Sequence, residues 1–196
     1  MRHARSLADD ENKHEGRYDS PLTDVGRKQV RMRALKWKEE NMTFDAIISS
    51  TLIRAKETAS IIAKELDCEV MEDDLWMEMD NGVLAGLRFE EAAKKYPMPN
   101  FQNPYDRKAH GTGESLVQLH ARAAFAIESV LQRRTGRYLI VSHGGTLNAV
   151  MRSILQMPIP INESGHFFKF GDAGFIKLTY LPERHFFVVN DMDKGF

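Results

Sequence analysis

Six side chains fall where phosphoryl chemistry would use them: Arg2 beside His3, Ser50 with Arg54 four residues on, Glu78 among apolar neighbours, and His143 directly after an apolar run. Phosphate calls for fixed positive charge and planar donors, which arginine supplies at any physiological pH. A histidine near neutrality can be a nucleophile or a proton donor. Gly144 and Gly145 open a helical stretch, so their N–H groups can approach an anion. Taken singly, each signal also has a structural reading. A histidine after a strand is more often a hydrogen bonder of the core, and an arginine in a helix's first turn is more often a surface charge. Trp76, Met77 and Met79 read as core, and the basic runs Arg27-Lys28 and 31–38 as a solvated helix face. His14, His110, His120, His166 and His185 read as structural.

The elements that must carry these groups follow from periodicity. Thr23 is a helix N-cap, and Gly26, Val30, Ala34 and Trp37 recur at helical spacing, which predicts a helix over 24–40. The β-branched run 44–50 predicts a strand, and Ala55, Thr58, Ala59, Ile62 and Leu66 a helix over 54–66. A further strand is expected over 70–78, a short helix over 90–96 stopped by Pro97, and an irregular excursion over 98–113. Helical periodicity returns over 114–134. The continuous apolar run 138–142 predicts a strand covered on both faces, followed by a helix over 146–156. Two strands, 174–180 and 185–190, joined through Pro182-Glu183-Arg184, predict a hairpin. Strands alternating with helices predict an α/β fold with a mainly parallel sheet and its chemistry at the strands' carboxyl ends.

Composition narrows the function classes. The 196 residues predict one domain, 1–196, with a small excursion at about 97–113. Lys plus Arg number 27 against 28 Asp plus Glu, a net charge of -1, so an anion site must be built locally. Neither nucleic acid nor membrane is an expected partner. The single cysteine, Cys68, excludes an intrachain disulfide and cysteine-based metal frameworks, and fits a reducing cytoplasm. No window approaches ~18 apolar residues and the first fifteen residues hold no apolar signal core, so a cytoplasmic protein is expected.

Several segments together resemble the histidine phosphatase superfamily, also called phosphoglycerate mutase-like proteins. Arg2-His3-Ala4-Arg5-Ser6 resembles its Arg-His-Gly-x-Ser/Thr signature, and Gly16-Arg17-Tyr18-Asp19-Ser20-Pro21-Leu22-Thr23-Asp24-Val25-Gly26 its G-x-x-D-x-P-L-T-x-x-G segment. Ser50-Thr51-Leu52-Ile53-Arg54-Ala55-Lys56-Glu57-Thr58-Ala59 is similar to S-x-L-x-R-A-x-x-T-A. Glu78-Met79-Asp80-Asn81-Gly82, Gly113-Glu114-Ser115 and Ser142-His143-Gly144-Gly145 match the acid loop, the G-E-S helix start and the S-H-G-G turn. The resemblance implies a three-layer αβα sandwich. It implies His3 as the nucleophile that becomes phosphohistidine, Arg2, Arg54 and His143 as holders of the phosphoryl group, and Glu78 as general acid. A carboxyl kept protonated by a partly apolar loop suits that last role, since an alkoxide leaves poorly. Water then attacks phosphohistidine with Glu78 as base. Ser6, Asn12, Gly16 and Gly144 are the implied substrate-binding residues. Two arginines and a histidine offset the phosphoryl charge, so neither metal nor other cofactor is expected.

The chain departs from the family pattern at three places. Ala4 stands where glycine is usual, a mild change unless that residue needs φ > 0. Asp9 stands where many members have asparagine; a carboxylate facing phosphate is repulsive, so either Asp9 turns outward or Asn12 substitutes for it. An apolar strand of about half a dozen residues precedes the Arg-His pair in the family, whereas only Met1 precedes Arg2 here. Further upstream residues, or another segment, are expected to fill that gap, with low activity of the short chain otherwise. The 2,3-bisphosphoglycerate-dependent mutases share the Gly82-Val83-Leu84-Ala85-Gly86 stretch, but Ala8-Asp9 replaces their tryptophan-asparagine pair and only Arg107-Lys108 stands in the excursion. A short excursion leaves the pocket open to water. The expected function is therefore a metal-independent phosphatase of a small phosphorylated metabolite. A mutase is the first alternative, and an inactive member acting as a binding protein the second, against which the intact set His3, Arg54, Glu78 and His143 argues. A homodimer is allowed for.

Overall fold

The computed structural model describes residues 1–107, 111–162 and 164–196; Lys108 and His110 lie outside the described residues. In chain order the elements are α1 (Leu7–Asp10), α2 (Asp24–Glu39), β1 (Ala46–Ser49), α3 (Ile53–Leu66), β2 (Val70–Glu72), α4 (Phe89–Lys95), α5 (Leu116–Leu131), β3 (Tyr138–Val141), α6 (Gly144–Ile154), β4 (Phe175–Leu181) and β5 (Phe186–Asp193). The parallel sheet runs β2-β1-β3, with Ile47 opposite Val70 on one side and Leu139 on the other. The period of two in a strand then sorts the core. Ile47, Leu139 and Val141 face Val30, Ala34 and Trp37 of α2 and Ala55, Ala59 and Ile62 of α3. Ile48 and Ile140 face the other way, onto Leu119, Ala123 and Ala126 of α5 and Ala149 and Val150 of α6. With helices covering both faces, β1 is buried along its whole length, and each such Ile contributes about 1.5–3 kcal/mol. The α/β architecture is the expected three-layer one.

Met1–His3 runs beside β3 at its carboxyl end. Ser142 N–H donates to the Met1 carbonyl and His3 N–H to that of Ser142, while Arg2 N–H donates to Gly174 O, at 2.9 Å each. The Arg-His pair is thereby held between β3 and the segment entering β4. Strands β4 and β5 form the expected antiparallel hairpin, with an irregularity between Lys177 and Leu178.

Local chemistry explains where the sequence reading was off. The strand expected to reach residue 78 stops at Glu72, because Asp73 accepts from Leu75 N–H and turns the chain into a single 3-10 turn, Asp74–Trp76. The helix expected from 146 begins two residues earlier, at Gly144. The basic face of α2 is not wholly solvated: Arg33 is buried in a double ion pair to Asp193, 2.6 and 2.7 Å, beneath Phe175 and Trp37. Trp76 and Met79 are core, as expected, whereas Met77 is only half-buried and outside the core cluster. Gly26 is needed for contact: a Cβ there would collide with the Arg5 carbonyl, which accepts from Thr23 N–H and seats α2 on the loop after His3. Among the described residues no helix is long and apolar enough to cross a membrane.

Candidate active site

His3 is 1 % exposed, and a single hydrogen bond fixes its tautomer. Nδ1 lies 2.7 Å from the Ala4 carbonyl, which can only accept, so the proton sits on Nδ1 and the lone pair on Nε2. Arg54 Nε donates to that Nε2 at 3.2 Å, and the rest of its guanidinium is spread over the carbonyls of Tyr18 and Gly16, 3.0 and 2.8 Å. This is why the Ser50–Ala59 segment ends β1 and starts α3: the turn delivers a fully buried arginine to the imidazole. Gly16 joins this cluster through its carbonyl, and its φ of 50° makes glycine the favoured residue there. Ala4 is fully buried and outside the left-handed region, so alanine in place of glycine is accommodated.

His143 stands 5.1 Å from His3, centroid to centroid. Its Nε2 meets Ser50 Oγ at 2.8 Å, while Nδ1 is buried without a hydrogen-bond partner. An unmet buried nitrogen costs about 1–3 kcal/mol unless something fills the space beside it. Burial, together with Arg54, His3, Arg2 and Arg122, pushes His143 well below its usual pKa, so it is a neutral imidazole able to donate to an anion without carrying charge.

Arg2, next to His3 in the chain, is already committed, to Asp9 at 3.0 Å and Asp172 at 3.2 Å. Asp9 does not turn outward. It closes a capping box with Ser6 on the one-turn α1 and binds Arg2. Asn12 does not substitute for it: Asn12 is exposed, takes the left-handed conformation of a turn, and is not among the residues lining the cavity. Ser6 Oγ donates to Glu15, a residue the motifs did not single out.

Glu78 sits on the other side. The sequence placed it in an apolar loop, but its oxygens meet backbone donors: Met79 N–H at 2.8 Å, Gly145 at 2.9 Å and Thr146 at 3.0 Å. The cap position of α6, His143, has no capping side chain, and Glu78 supplies the missing acceptor. Of the two glycines expected to cradle an external anion, Gly145 thus gives its N–H to Glu78, and Gly144 has open space where a Cβ would be. The loop itself is held by Arg122 of α5, which bonds the carbonyls of Leu75, Met77 and Glu78 and pairs with Glu114 through two bonds, 2.9 and 2.7 Å. Arg122 went unread because its targets lie some forty residues away, although Glu114 of the G-E-S segment marks it. A cavity of about 290 Å³ joins the two sides, lined by Asp9, Glu15, Gly16, Glu78 and Gly145 together with Lys13, His14, Met79, Asn81 and Phe89.

Comparison with known proteins agrees with the fold and the motif order. The family model for the histidine phosphatase superfamily (branch 1) matches residues 1–190. The metal-independent phosphoserine phosphatase of Arabidopsis thaliana is 33% identical over 100% of this chain and 85% of its own. A probable phosphoglycerate mutase GpmB of Escherichia fergusonii is 32% identical over 81% of this chain and 74% of its own. Among solved structures, a phosphoserine phosphatase from Entamoeba histolytica in complex with 3-phosphoglyceric acid superposes with a TM-score of 0.76 at 25% identity, covering 98% of this chain and 93% of that one.

Proposed function

The chain belongs to the histidine phosphatase superfamily (branch 1), and from that premise we propose that it is a metal-independent phosphomonoester phosphatase working through phosphohistidine at His3. Its phosphatase activity agrees with the relatives' names, and the mutase and inactive readings are not favoured. The observation that carries the mechanism is the Nδ1–Ala4 hydrogen bond, which puts the lone pair of His3 on Nε2, where it can attack once Arg54 Nε turns from it to the phosphate. In the first step Nε2 bonds to phosphorus as the ester P–O bond breaks, with Arg54, Arg2 and the neutral His143 around the equatorial oxygens. The leaving alkoxide takes a proton from Glu78. Giving up that proton leaves Glu78 a carboxylate held by the N–H groups of Gly145 and Thr146. That same carboxylate then removes a proton from the water that attacks phosphohistidine, releasing inorganic phosphate.

The substrate we propose is a small phosphate ester of the phosphoserine and phosphoglycerate class, on the strength of the relatives' names and a cavity of about 290 Å³. The whole 196-residue chain is taken as one functional domain, and the cytoplasm as its compartment, in keeping with one half-buried, unpaired Cys68. The test is turnover of phosphoserine and p-nitrophenyl phosphate with EDTA present, followed by alkaline quenching and mass spectrometry. Phosphate is expected on residue 3, and His3→Ala is expected to lose at least about a thousandfold in kcat. A His3→Ala enzyme within tenfold of the wild type would overturn the mechanism, and loss of activity in EDTA would overturn metal independence. Return of the phosphoryl group to 3-phosphoglycerate without release of inorganic phosphate would restore the mutase.

A further inference from the structure

Glu15 takes no part in the chemistry above, yet it touches the groups that chemistry needs free. One carboxylate oxygen accepts from the Ser6 hydroxyl and lies 3.3 Å from Arg54 Nε, and the other lies 3.5 Å from His3 Nε2. A phosphoryl group bonded to Nε2 must place its oxygens within van der Waals reach of that atom, which is where the Glu15 carboxylate stands. We propose that Glu15 is an internal occupant of the phosphoryl site, a specificity-determining carboxylate that competes with phosphate and must leave Ser6, Arg54 and His3 before an ester can bind.

The balance of charge supports this. Arg2 and Arg54 are already engaged by Asp9, Asp172 and Glu15, with Arg5 a further 4.0 Å from Asp172, so a phosphate dianion has to displace a carboxylate to reach Arg54. Asp9 is anchored by the Ser6 backbone N–H as well as by Arg2, whereas the contacts of Glu15 are with side chains. Glu15 also lines the cavity, which gives it somewhere to move. Burial alone would push its carboxyl up, but His3, Arg54 and the Ser6 hydroxyl outweigh burial and hold it well below the usual carboxylate range, so it stays an anion wherever the enzyme would meet a phosphate ester. One atom each of His3, Asp9 and Glu15 lie within 4.8 Å of one another, a spacing a divalent cation could bridge. Arg54 and Arg2 already point their N–H groups at two of those three, which opposes a cation there.

The inference rests on His3 being the phosphoryl acceptor, and its test reads binding rather than turnover so that the two can fail separately. Inorganic phosphate is titrated calorimetrically into wild type, Glu15→Gln and Glu15→Asp, with EDTA present. Glu15→Gln is expected to bind phosphate about tenfold more tightly, ~1.4 kcal/mol, with a matching fall in KM. Glu15→Asp, whose shorter side chain draws the charge back, is expected to move the same way by less, and carries the test if the glutamine variant does not fold. Unchanged or weaker phosphate binding would show that Glu15 merely neutralises Arg54, and phosphate binding by none of the three proteins would equally overturn the proposal.

Discussion

The two walls of the cavity satisfy their charges by different means. On the His3 wall, Arg2 and Arg54 are matched by the side chains of Asp9, Asp172 and Glu15, gathered from distant parts of the chain. On the Glu78 wall, a single carboxylate is matched by backbone N–H groups of its own loop and of α6, with Arg122 locking the loop from behind. A side-chain partner can rotate away when a better anion arrives; a backbone amide in a helix's first turn cannot. On the proposed mechanism the His3 wall is therefore the exchangeable one, suited to receiving a phosphoryl group, and the Glu78 wall is fixed, suited to moving a proton at a constant position.

The sharpest way to break that contrast is to change the fixed wall. Glu78→Gln keeps an acceptor for the α6 amides but removes the proton, so hydrolysis of alkyl phosphates should fall by about 10²–10⁴ and that of p-nitrophenyl phosphate by much less, because its leaving group scarcely needs protonation. Equal losses on the two substrates would make Glu78 structural. Gly145→Ala tests position rather than chemistry. The new Cβ would stand 2.6 Å from Glu78 Oε1, so the carboxylate has to shift while the fold survives, and kcat on alkyl phosphates should drop by about tenfold. Full activity would mean that the wall is not fixed after all. The smallest effect belongs to the exchangeable wall. The carboxyl of Glu15 is depressed in the folded state, so its ion pairs stabilise the protein above its ordinary value of 4.5 and are lost as pH falls toward the folded value. Thermal unfolding followed from pH 7 to pH 3 should show Glu15→Gln losing less stability on acidification than wild type. Parallel curves would place the acid sensitivity elsewhere.

The two walls also differed in how readable they were. Arg54 and His143 follow strand-like runs and His3 stands beside Arg2, types and spacing that already pointed to an anion site, and β1 and β3 were legible because an apolar run covered on both faces looks the same in sequence as in space. Glu78 was found but its surroundings were misjudged: Met77 and Met79 flank it as apolar side chains, whereas its carboxylate meets the Met79 amide and amides 67 and 68 residues later. Glu15 and Asp172 were missed for the same reason. A carboxylate reveals nothing in sequence about the arginine it will meet, and Asp172 lies 170 residues from Arg2. The end of β2 was misplaced because Asp73 could as well have continued a strand as capped a turn.

The double duty proposed for Glu78 bears on how such a site is inherited. Helix α6 has no cap of its own and depends on an acceptor at position 78 for its first turn. Selection for a folded protein alone would keep that acceptor, whether or not the chain still turned over a substrate. In a lineage drifting away from catalysis, position 78 would be free to vary only after residue 143 had become a serine, threonine or aspartate able to cap the helix itself. A retained glutamate here is thus a record of folding as much as of chemistry, and the living mark of the enzyme is the pair it forms with an intact His3.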